Sequence, residues 1–501
     1  MAAAARWRPA RRQLTGLSRA GLGRAWPGPD PARSVCGQHT EVIPVRTEVT
    51  PGRVVPRPAG TGRGFLRRPP AGSVTAMAAT VQPPRGMRDF LPDDKSRREA
   101  VLAAIRGSFA SYGYREIETP ALEELSRLES GQGGENDKLI FRVQRRGLDP
   151  GVALLPGDSA DLGLRFDLTL PLARFYATHR GELPEVFRAI QIAPVWRAER
   201  PQRGRYRQFH QCDIDVVGEP GPVAEVELIV ATLDTLDALG VAGVSVRLND
   251  RGVLFGLLDA CGFASETHPA VLVVLDKLDK EGVEGVAAEL AARGMPPGPS
   301  ERLVRVVADL RAVEGDFDAT FASLPGRAPD RAEGLLAIRD GVLEAKPDAR
   351  LVADATLVRG QGYYTGSIFE LHHPDLSASI GGGGRYDGMV GRFLGTDVPG
   401  CGFSIGFERV VELVDHARFG ARARRVALVY SSDVPPGRLV AWQRRLIGVG
   451  AEVRLVPRRR NLARQLEALV AEGFGEWAEL DGSSRAPAAG GAAGLDLRDL
   501  R

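Results

Sequence analysis

From about residue 94, apolar residues such as Val101 and Ile105 recur at the spacing of one helical face. Further along, the pattern changes to short runs of apolar and alternating residues, which are typical of strands. Residues 182–199 and 209–218 lie on either side of an arginine-rich turn and therefore predict an antiparallel hairpin. A helix is predicted over 224–240, and strands are predicted within 111–120, 164–171, 244–250, 355–373 and 400–414, the last continuing as a helix.

Two later stretches depart from this pattern. Residues 264–345 consist of short helical segments punctuated by glycine and proline, which predicts a helical insertion. After residue 423 strands and helices alternate, which predicts a small α/β domain over 424–482. The remaining residues, 483–501, are rich in glycine and alanine and predict a flexible tail. The pattern therefore predicts an α+β protein with a core over 81–423 and a smaller second domain.

Residues 1–80 contain 13 arginines, no lysine and three acidic residues, with no sustained helical or strand period. Three interpretations remain open for this segment. It is a disordered extension, an organellar transit peptide, or an upstream region that precedes a true translation start at Met77. The first and third interpretations are compatible with a cytoplasmic protein, and the second implies an organelle.

Composition excludes several classes of protein. Hydrophobic residues make up 43% of the 501 residues, which is enough for two or three packed domains. The four cysteines form no CxxC pair, so neither a disulfide framework nor a metal site is predicted. No charge-free apolar run is long enough to span a bilayer. The net charge is only +3, so a nucleic-acid partner requires a local basic patch, and residues 424–464 supply ten arginines against Asp433 and Glu452.

The hairpin turn concentrates groups that bind phosphate. Residues 196–209 contain five arginines and one acid, Glu199, and the planar guanidinium suits bidentate phosphate contacts. The alternative interpretation is a solvated charged loop. Phe209 either stacks on a purine or belongs to the core.

Three other segments carry candidate ligand groups. On the strand predicted over 164–171, Asp167 and Thr169 share a face and would hold an ammonium group, although an ordinary half-exposed strand has the same pattern. Glycines flank tyrosines and arginines in residues 359–366 and 379–391, where close backbone approach to a ligand competes with a flexible loop. Glu408 and Arg409 stand at a strand-to-helix junction, a suitable place for another phosphate contact.

In this order, the segments resemble those of class II aminoacyl-tRNA synthetases, specifically the histidyl-tRNA synthetase family, from about Pro83 to Gly482. The class motifs 1, 2 and 3 correspond to residues 118–120, 196–211 and 402–410, and the histidine-specific segments to residues 357–370 and 381–391. The resemblance implies an antiparallel-sheet catalytic core followed by an α/β anticodon-binding domain. It also implies a homodimer, because motif 1 is a dimer element in this family.

By position, the resemblance assigns catalytic roles to three arginines. Arg197 would grip the α-phosphate and the substrate carboxylate, Arg409 the γ-phosphate, and Arg359 would stand beside the reacting phosphate. The residues that the resemblance assigns to histidine are Asp167, Thr169, Gln211, Asp215, Tyr363, Tyr364 and Tyr386. Those assigned to ATP are Arg197, Glu199, Arg205, Phe209 and Arg409. Gln202 and Arg207 are assigned to the tRNA acceptor end.

The function implied by the resemblance is ATP-dependent ligation of histidine to tRNA(His) through a histidyl-adenylate. ATP with Mg²⁺ would enter as a substrate, and no tightly bound cofactor or protein-held metal is implied. The alternative is a non-catalytic relative that serves as a regulatory subunit in histidine biosynthesis. Such relatives tend to lose the ATP-binding arginines and the C-terminal domain, whereas this chain has both.

Overall fold

The helix predicted after residue 94 forms as α1, and the predicted hairpin forms as β5 and β6, paired antiparallel from Phe187 with Val217 to Trp196 with Gln208. The computed structural model describes residues 81–129, 136–147, 159–201, 204–325, 329–359, 362–419, 424–485 and 495–500. Residues 1–80, for which three interpretations were open, lie outside the described residues.

The first part of the core contains α1 (Pro92–Ser111), β1 (Arg115–Glu116), β2 (Leu122–Glu124), α2 (Leu125–Glu129), β3 (Phe141–Gln144), β4 (Ala160–Leu164), α3 (Thr169–His179), β5 (Phe187–Trp196), β6 (Gln208–Val217), α4 (Val223–Ala238) and β7 (Ser245–Asp250). The helices that follow are α5 (Arg251–Cys261), α6 (His268–Leu275), α7 (Leu278–Ala292), α8 (Pro297–Ala312), α9 (Phe317–Ala322) and α10 (Pro329–Ala345). The helical character predicted for residues 264–345 is therefore confirmed.

The core continues with β8 (Leu351–Ala353), β9 (Ser367–His372), β10 (Gly381–Arg385), α11 (Asp387–Leu394), β11 (Gly400–Gly406) and α12 (Phe407–Leu413). Eight strands form one sheet in the order β1-β5-β6-β11-β10-β9-β7-β8. Only the two outermost pairs, β1 with β5 and β7 with β8, are parallel. The predicted antiparallel core sheet is confirmed, and β2, β4 and β3 form a separate three-stranded sheet.

The two faces of β6 have different roles. Cys212, Ile214 and Val216 are fully buried and belong to the main hydrophobic core. Because successive side chains of a strand point to opposite faces, Gln211, Asp213 and Asp215 lie on the other face. The sheet therefore carries a hydrophobic core on one face and a row of polar groups on the other.

The C-terminal region contains β12 (Arg425–Tyr430), α13 (Pro436–Ile447), β13 (Glu452–Pro457), α14 (Leu462–Ala471), β14 (Glu476–Leu480) and β15 (Arg498–Asp499). β13, β12 and β14 are parallel, so the predicted strand–helix alternation is confirmed. β15 pairs antiparallel with β14, which differs from the flexible tail expected over 483–501. Residues 486–494 of that tail lie outside the described residues.

The strand predicted over 164–171 is wrong. β4 ends at Leu164, and α3 begins at Thr169, so Asp167 and Thr169 do not share a strand face. Pro171 explains the difference, because a proline has no N–H for a sheet ladder but fits the first turn of a helix. The Asp167 carboxylate accepts a hydrogen bond from the backbone N–H of Leu170, at 3.4 Å, as that helix begins.

The strand predicted over 355–373 is confined to β9. Tyr363 and Tyr364 precede it, are both buried, and have ring centroids 4.8 Å apart. In a strand, adjacent side chains point to opposite faces of the sheet. The two neighbouring tyrosine rings can therefore lie next to each other only where the backbone is not a regular strand. Residues 381–384, for which a flexible loop was one of two open interpretations, form β10 between β9 and β11.

A buried ion pair fixes α4 to the end of β10. Arg385 donates to both oxygens of Glu225, at 2.6 Å each, and Ser367 donates to the same carboxylate at 2.9 Å. A second pair on the same helix, between Arg188 and Glu227, is more exposed.

We expect Glu225→Ala to destabilise the protein by about 3–5 kcal/mol, because the buried Arg385 guanidinium loses the carboxylate that accepts two of its hydrogen bonds and keeps only the more exposed Asp387 as an acidic partner. Glu227→Ala is the matched control, for which the loss of a partly exposed pair should cost at most about 1 kcal/mol. Thermal unfolding followed by circular dichroism measures both. Equal melting temperatures for the two variants would contradict the structural role given to Glu225.

Candidate active site

A cavity of about 590 Å³ lies where β6, β10, β11 and the segment before β9 meet. All described residues that were assigned to ATP or histidine line it: Asp167, Thr169, Arg197, Glu199, Arg205, Phe209, Gln211, Asp215, Arg359, Tyr363, Tyr364, Tyr386 and Arg409. Of the two residues assigned to the tRNA acceptor end, Arg207 does not line the cavity and Gln202 lies outside the described residues. The Arg207 Nε instead donates to the carbonyl oxygen of Glu199 at 3.0 Å.

Buried carboxylates form one part of the cavity wall. Asp213 and Asp215 project from β6, and Asp167 projects from the turn before α3. Tyr386 donates to Asp215 Oδ1 at 2.6 Å, and Gln211 donates to Asp213 Oδ2 at 3.2 Å. We call this wall, with Asp167, Gln211, Asp213 and Asp215, the acceptor wall.

Burial raises the pKa of each carboxyl group in the acceptor wall. The pKa of Asp167 rises to about 6, with Arg197 opposing the rise, and that of Asp215 rises to about 7, opposed by the hydrogen bond from Tyr386. Burial and then the charge of Asp215 raise the pKa of Asp213 well above its usual range. The three groups therefore favour a neighbouring positive charge, which would stabilise their ionised forms.

Three oxygens of the acceptor wall are buried without a hydrogen-bond partner in the described structure: Asp167 Oδ2, Gln211 Oε1 and Asp215 Oδ2. A buried acceptor without a partner costs about 1–3 kcal/mol, so native structures seldom contain several in one place. All three belong to residues that line the same cavity. A ligand with several N–H donors and a positive charge would satisfy them.

Glycines make room for these side chains. A Cβ at Gly402 of β11 would lie 2.0 Å from Asp215 Oδ1, and a Cβ at Gly382 of β10 would lie 2.7 Å from Arg359 Cζ. Both contacts are too short for any residue with a side chain. Asp215 and Arg359 can therefore lie directly over the sheet only because Gly402 and Gly382 have no side chains.

Tyrosines enclose the space beside the acceptor wall. Tyr363, Tyr364 and Tyr386 are all buried, and the rings of Tyr363 and Tyr386 meet edge to face with centroids 6.2 Å apart. The Tyr363 hydroxyl lies 3.5 Å from Thr169 Oγ1 at the start of α3. These rings offer hydroxyl groups and apolar surface to a small planar ligand group.

Arginines form another part of the wall. Within the described residues, neither Arg197 nor Arg409 has a carboxylate within ion-pair distance. The Arg197 Nε donates to the carbonyl oxygen of Phe166 at 2.9 Å, and Arg409 donates to the carbonyl oxygen of Ser379. Burial, and then the charge of Arg205, lowers the pKa of Arg409, with Arg359 and Arg197 acting in the same direction. This concentration of positive charge favours a polyanionic ligand.

Two further arginines of the cavity have acidic partners. Arg359 donates to Glu370 of β9 at 2.6 Å, and Arg205 lies 3.7 Å from Glu199. Phe209 lies on the hairpin with the Arg197 guanidinium carbon 5.1 Å from its ring centroid. The ring is only partly buried and lines the cavity, so it can take a planar group on its exposed side.

Glu408, which stands next to Arg409, links the site to the N-terminal part of the core. Arg98 of α1 donates to both of its oxygens, at 2.8 and 2.7 Å, and Arg88 donates to it as well. The Arg88 guanidinium carbon lies 3.4 Å above the ring of Tyr206, a residue that lines the cavity. The segment before α1 therefore supports the hairpin turn, a role that the sequence does not reveal.

Three residues that the sequence did not assign to the site also line the cavity: Asp213, Glu370 and Ser404. The first had a visible signal, because Asp213 alternates with Gln211 and Asp215 and must share their strand face. The other two depend on pairing between distant strands, with Ser404 opposite Asp213 and Glu370 opposite Gly382. No local pattern predicts that pairing.

The basic patch over residues 424–464 is partly neutralised. Four of its arginines pair with glutamates: Arg424 with Glu476, Arg425 with Glu452, Arg454 with Glu472 and Arg458 with Glu479. Three of those glutamates follow residue 464, beyond the stretch in which the ten arginines were counted. Arg459 and Arg460 are exposed and have no ion-pair partner among the described residues.

The described part of the chain contains no helix with the length and hydropathy needed to cross a bilayer. It also contains no cluster of three or more histidine, cysteine or acidic side chains placed to hold a metal ion.

Comparison with known proteins places this site in a family. Residues 86–410 match the family described as Histidyl-tRNA synthetase. The chain is 50% identical to a histidine–tRNA ligase of Leifsonia xyli over 444 residues, which cover 85% of this chain and 99% of the relative. The crystal structure of histidyl-tRNA synthetase from Nostoc is similar with a TM-score of 0.62 and 27% identity, covering 84% of this chain and 95% of that one.

A structure from Bacillus halodurans, described as an ATP phosphoribosyltransferase regulatory subunit/histidyl-tRNA synthetase, has a TM-score of 0.63. It is only 20% identical, covers 81% of this chain and 99% of that one, and therefore shows the fold alone. The matches over most of the length of both chains, together with the sheet and the cavity, show that this chain belongs to the histidyl-tRNA synthetase family.

Proposed function

We propose that this protein joins histidine to tRNA(His) in an ATP-dependent reaction that proceeds through a histidyl-adenylate. One observation carries the proposal beyond family membership: a single cavity contains three buried acceptors without partners and two arginines without acidic partners in the described structure. An amino acid with a cationic ammonium group fits the acceptors, and a nucleoside triphosphate fits the arginines.

In this proposal the acceptor wall holds histidine. The ammonium group is received by Asp167 and Gln211, whose unpartnered oxygens are buried in the cavity. The imidazole ring lies among the tyrosines, with Asp215 accepting from one ring N–H. A site built to hydrogen-bond a polar ring rejects amino acids that would leave those groups unpaired.

ATP occupies the arginine-lined part. Phe209 stacks on the adenine, with Arg197 on the α-phosphate and Arg409 on the γ-phosphate. Arg205 and Glu199 add contacts to the nucleotide, and Mg²⁺ accompanies ATP as part of the substrate. Glu199 and Glu370 are among the carboxylates that line the cavity and would contact that ion, while Mg²⁺ keeps phosphate and water oxygens as its other ligands.

The reaction requires positioning rather than a covalent enzyme intermediate. A carboxylate oxygen of histidine attacks the α-phosphorus of ATP, the bond to the β-phosphate bridging oxygen breaks, and pyrophosphate leaves. Arg197 and Arg359 offset the charge that develops on the α-phosphate. The terminal ribose hydroxyl of the tRNA then attacks the carbonyl carbon and releases AMP.

The regulatory alternative is less well supported. Arg197, Arg359 and Arg409 all line the cavity, and the relative from Leifsonia xyli that is 50% identical is named a histidine–tRNA ligase. A subunit that only binds histidine would not need a cavity with several converging arginines. The absence of ATP turnover in the purified protein would favour this alternative.

The proposal includes two further partners. The tRNA acceptor end reaches the hairpin near Gln202 and Arg207, and the anticodon meets the C-terminal domain. The protein acts as a homodimer, supported by the position of β1 at the exposed edge of the large sheet, next to residues 118–120.

ATP–pyrophosphate exchange tests the proposal directly. We expect exchange that depends on histidine and on none of the other standard amino acids. Arg359→Ala and Arg409→Ala should each lower the rate roughly 100- to 1,000-fold, as expected when one preorganised donor to the reacting phosphates is lost. Arg305→Ala, on an exposed face of α8, is the matched control and should retain the parent rate. Parent-like rates in both cavity variants would contradict the assignment.

The C-terminal domain is tested in the full-length chain. Arg459→Glu combined with Arg460→Glu should weaken tRNA charging but leave pyrophosphate exchange unchanged, because these side chains are exposed and lie outside the cavity. The salt dependence of tRNA binding should also become shallower by roughly one to two in log–log slope. Arg424→Ala is the control, since its guanidinium already pairs with Glu476. Equal losses in exchange and charging would argue against tRNA contact.

A further inference from the structure

The side-chain amide of Gln211 has a defined orientation. Its Nε2 lies 3.2 Å from Asp213 Oδ2 and 3.1 Å from Ser404 Oγ, so the nitrogen faces the sheet. Its Oε1 is buried without a partner in a residue that lines the cavity. The terminal torsion of glutamine is broad and roughly two-fold, so the neighbours decide which end of the amide faces the ligand.

Asp213 is the neighbour whose chemistry selects this orientation. An ionised carboxylate can only accept hydrogen bonds, and a neutral carboxyl group still has its carbonyl oxygen as an acceptor. In either form Asp213 can receive the amide N–H. Ser404 cannot select the orientation alone, because a hydroxyl both donates and accepts.

The place of Asp213 in the sheet suits this role. It is almost fully buried, between Gln191 on β5 and Ser404 on β11. Gln191 donates from its Nε2 to the carbonyl oxygen of Leu168 at 2.8 Å, whereas the Gln211 Nε2 donates to the Asp213 carboxylate, at 3.4 and 3.2 Å from its two oxygens. Gln211 is therefore the side-chain amide that Asp213 holds.

We propose that Asp213 is a positioning residue that fixes the amide of Gln211 with Oε1 turned toward the ammonium group of histidine. This inference rests on the proposed function. Asp213 acts through Gln211 and does not itself contact the substrate. Its acceptor oxygen matters for this role, and its charge does not.

Two substitutions separate these properties in ATP–pyrophosphate exchange. Asp213→Ala removes the acceptor and should raise the KM for histidine roughly tenfold, about the effect of losing one hydrogen bond to a charged group, with the KM for ATP unchanged. Asp213→Asn removes the charge but keeps an acceptor oxygen of the same geometry, and should retain a KM near that of the parent. Equal increases in the two variants would overturn the proposal, because they would indicate a direct charge contact with the substrate.

A double-mutant cycle tests whether Asp213 acts through Gln211. In a Gln211→Ala background, adding Asp213→Ala should raise the histidine KM no further, whereas independent effects would multiply and overturn the proposal. Should Asp213→Ala fail to fold, Ser404→Ala serves in the same cycle. It should raise the histidine KM by a smaller factor, and that increase should vanish with Gln211→Ala. A parent protein without histidine-dependent exchange would reject the proposed function itself, which distinguishes the two failures.

Discussion

Gly382 on β10 and Gly402 on β11 lie on the cavity face of the sheet, where a Cβ would be 2.7 Å from Arg359 Cζ and 2.0 Å from Asp215 Oδ1. These glycines leave a sheet surface formed by backbone alone, in the middle of the eight strands. The ladder hydrogen bonds hold the glycines in place, so the segment is ordered despite its composition. Larger side chains from neighbouring segments, including Asp215 and Arg359, can then lie over it and form the cavity.

The cavity is costly for the free protein because it combines buried acceptors without partners and arginines without acids. Unsatisfied polar groups and unpaired charges destabilise a fold, and the hydrophobic core on the other face of β6 offsets that cost. The ion pairs around the cavity, such as Arg98 with Glu408, hold its walls in position. A bound cation and a bound polyanion would supply the missing partners, which would couple ligand binding to the stability of the site.

The sequence predicted the hairpin, α1, the C-terminal alternation and many of the residues that line the cavity, the last through family resemblance. It failed where structure depends on tertiary contacts. Asp167 belongs to a turn before a helix, a difference set by Pro171. Packing across the sheet buries Tyr363 beside Tyr364 and orders the four glycines as a strand. The local pattern of apolar and polar residues does not indicate these tertiary contacts. The charge of the C-terminal patch was overestimated because the partner acids come later in the chain.

Asp167 and Asp215 are the two carboxylates of the acceptor wall that we expect to receive a cationic ligand. Burial raises the pKa of Asp167 to about 6 and of Asp215 to about 7, so both groups are largely protonated at pH 5.5 and ionised at pH 8. A cation binds the ionised forms, so affinity should increase as the pH rises through this window. The direct measurement is calorimetric titration with histidine across that range, for the parent and for Asp215→Asn. Histidine's own ring titration is common to both proteins, so a steeper increase in the parent supports the account, and identical pH profiles would contradict it.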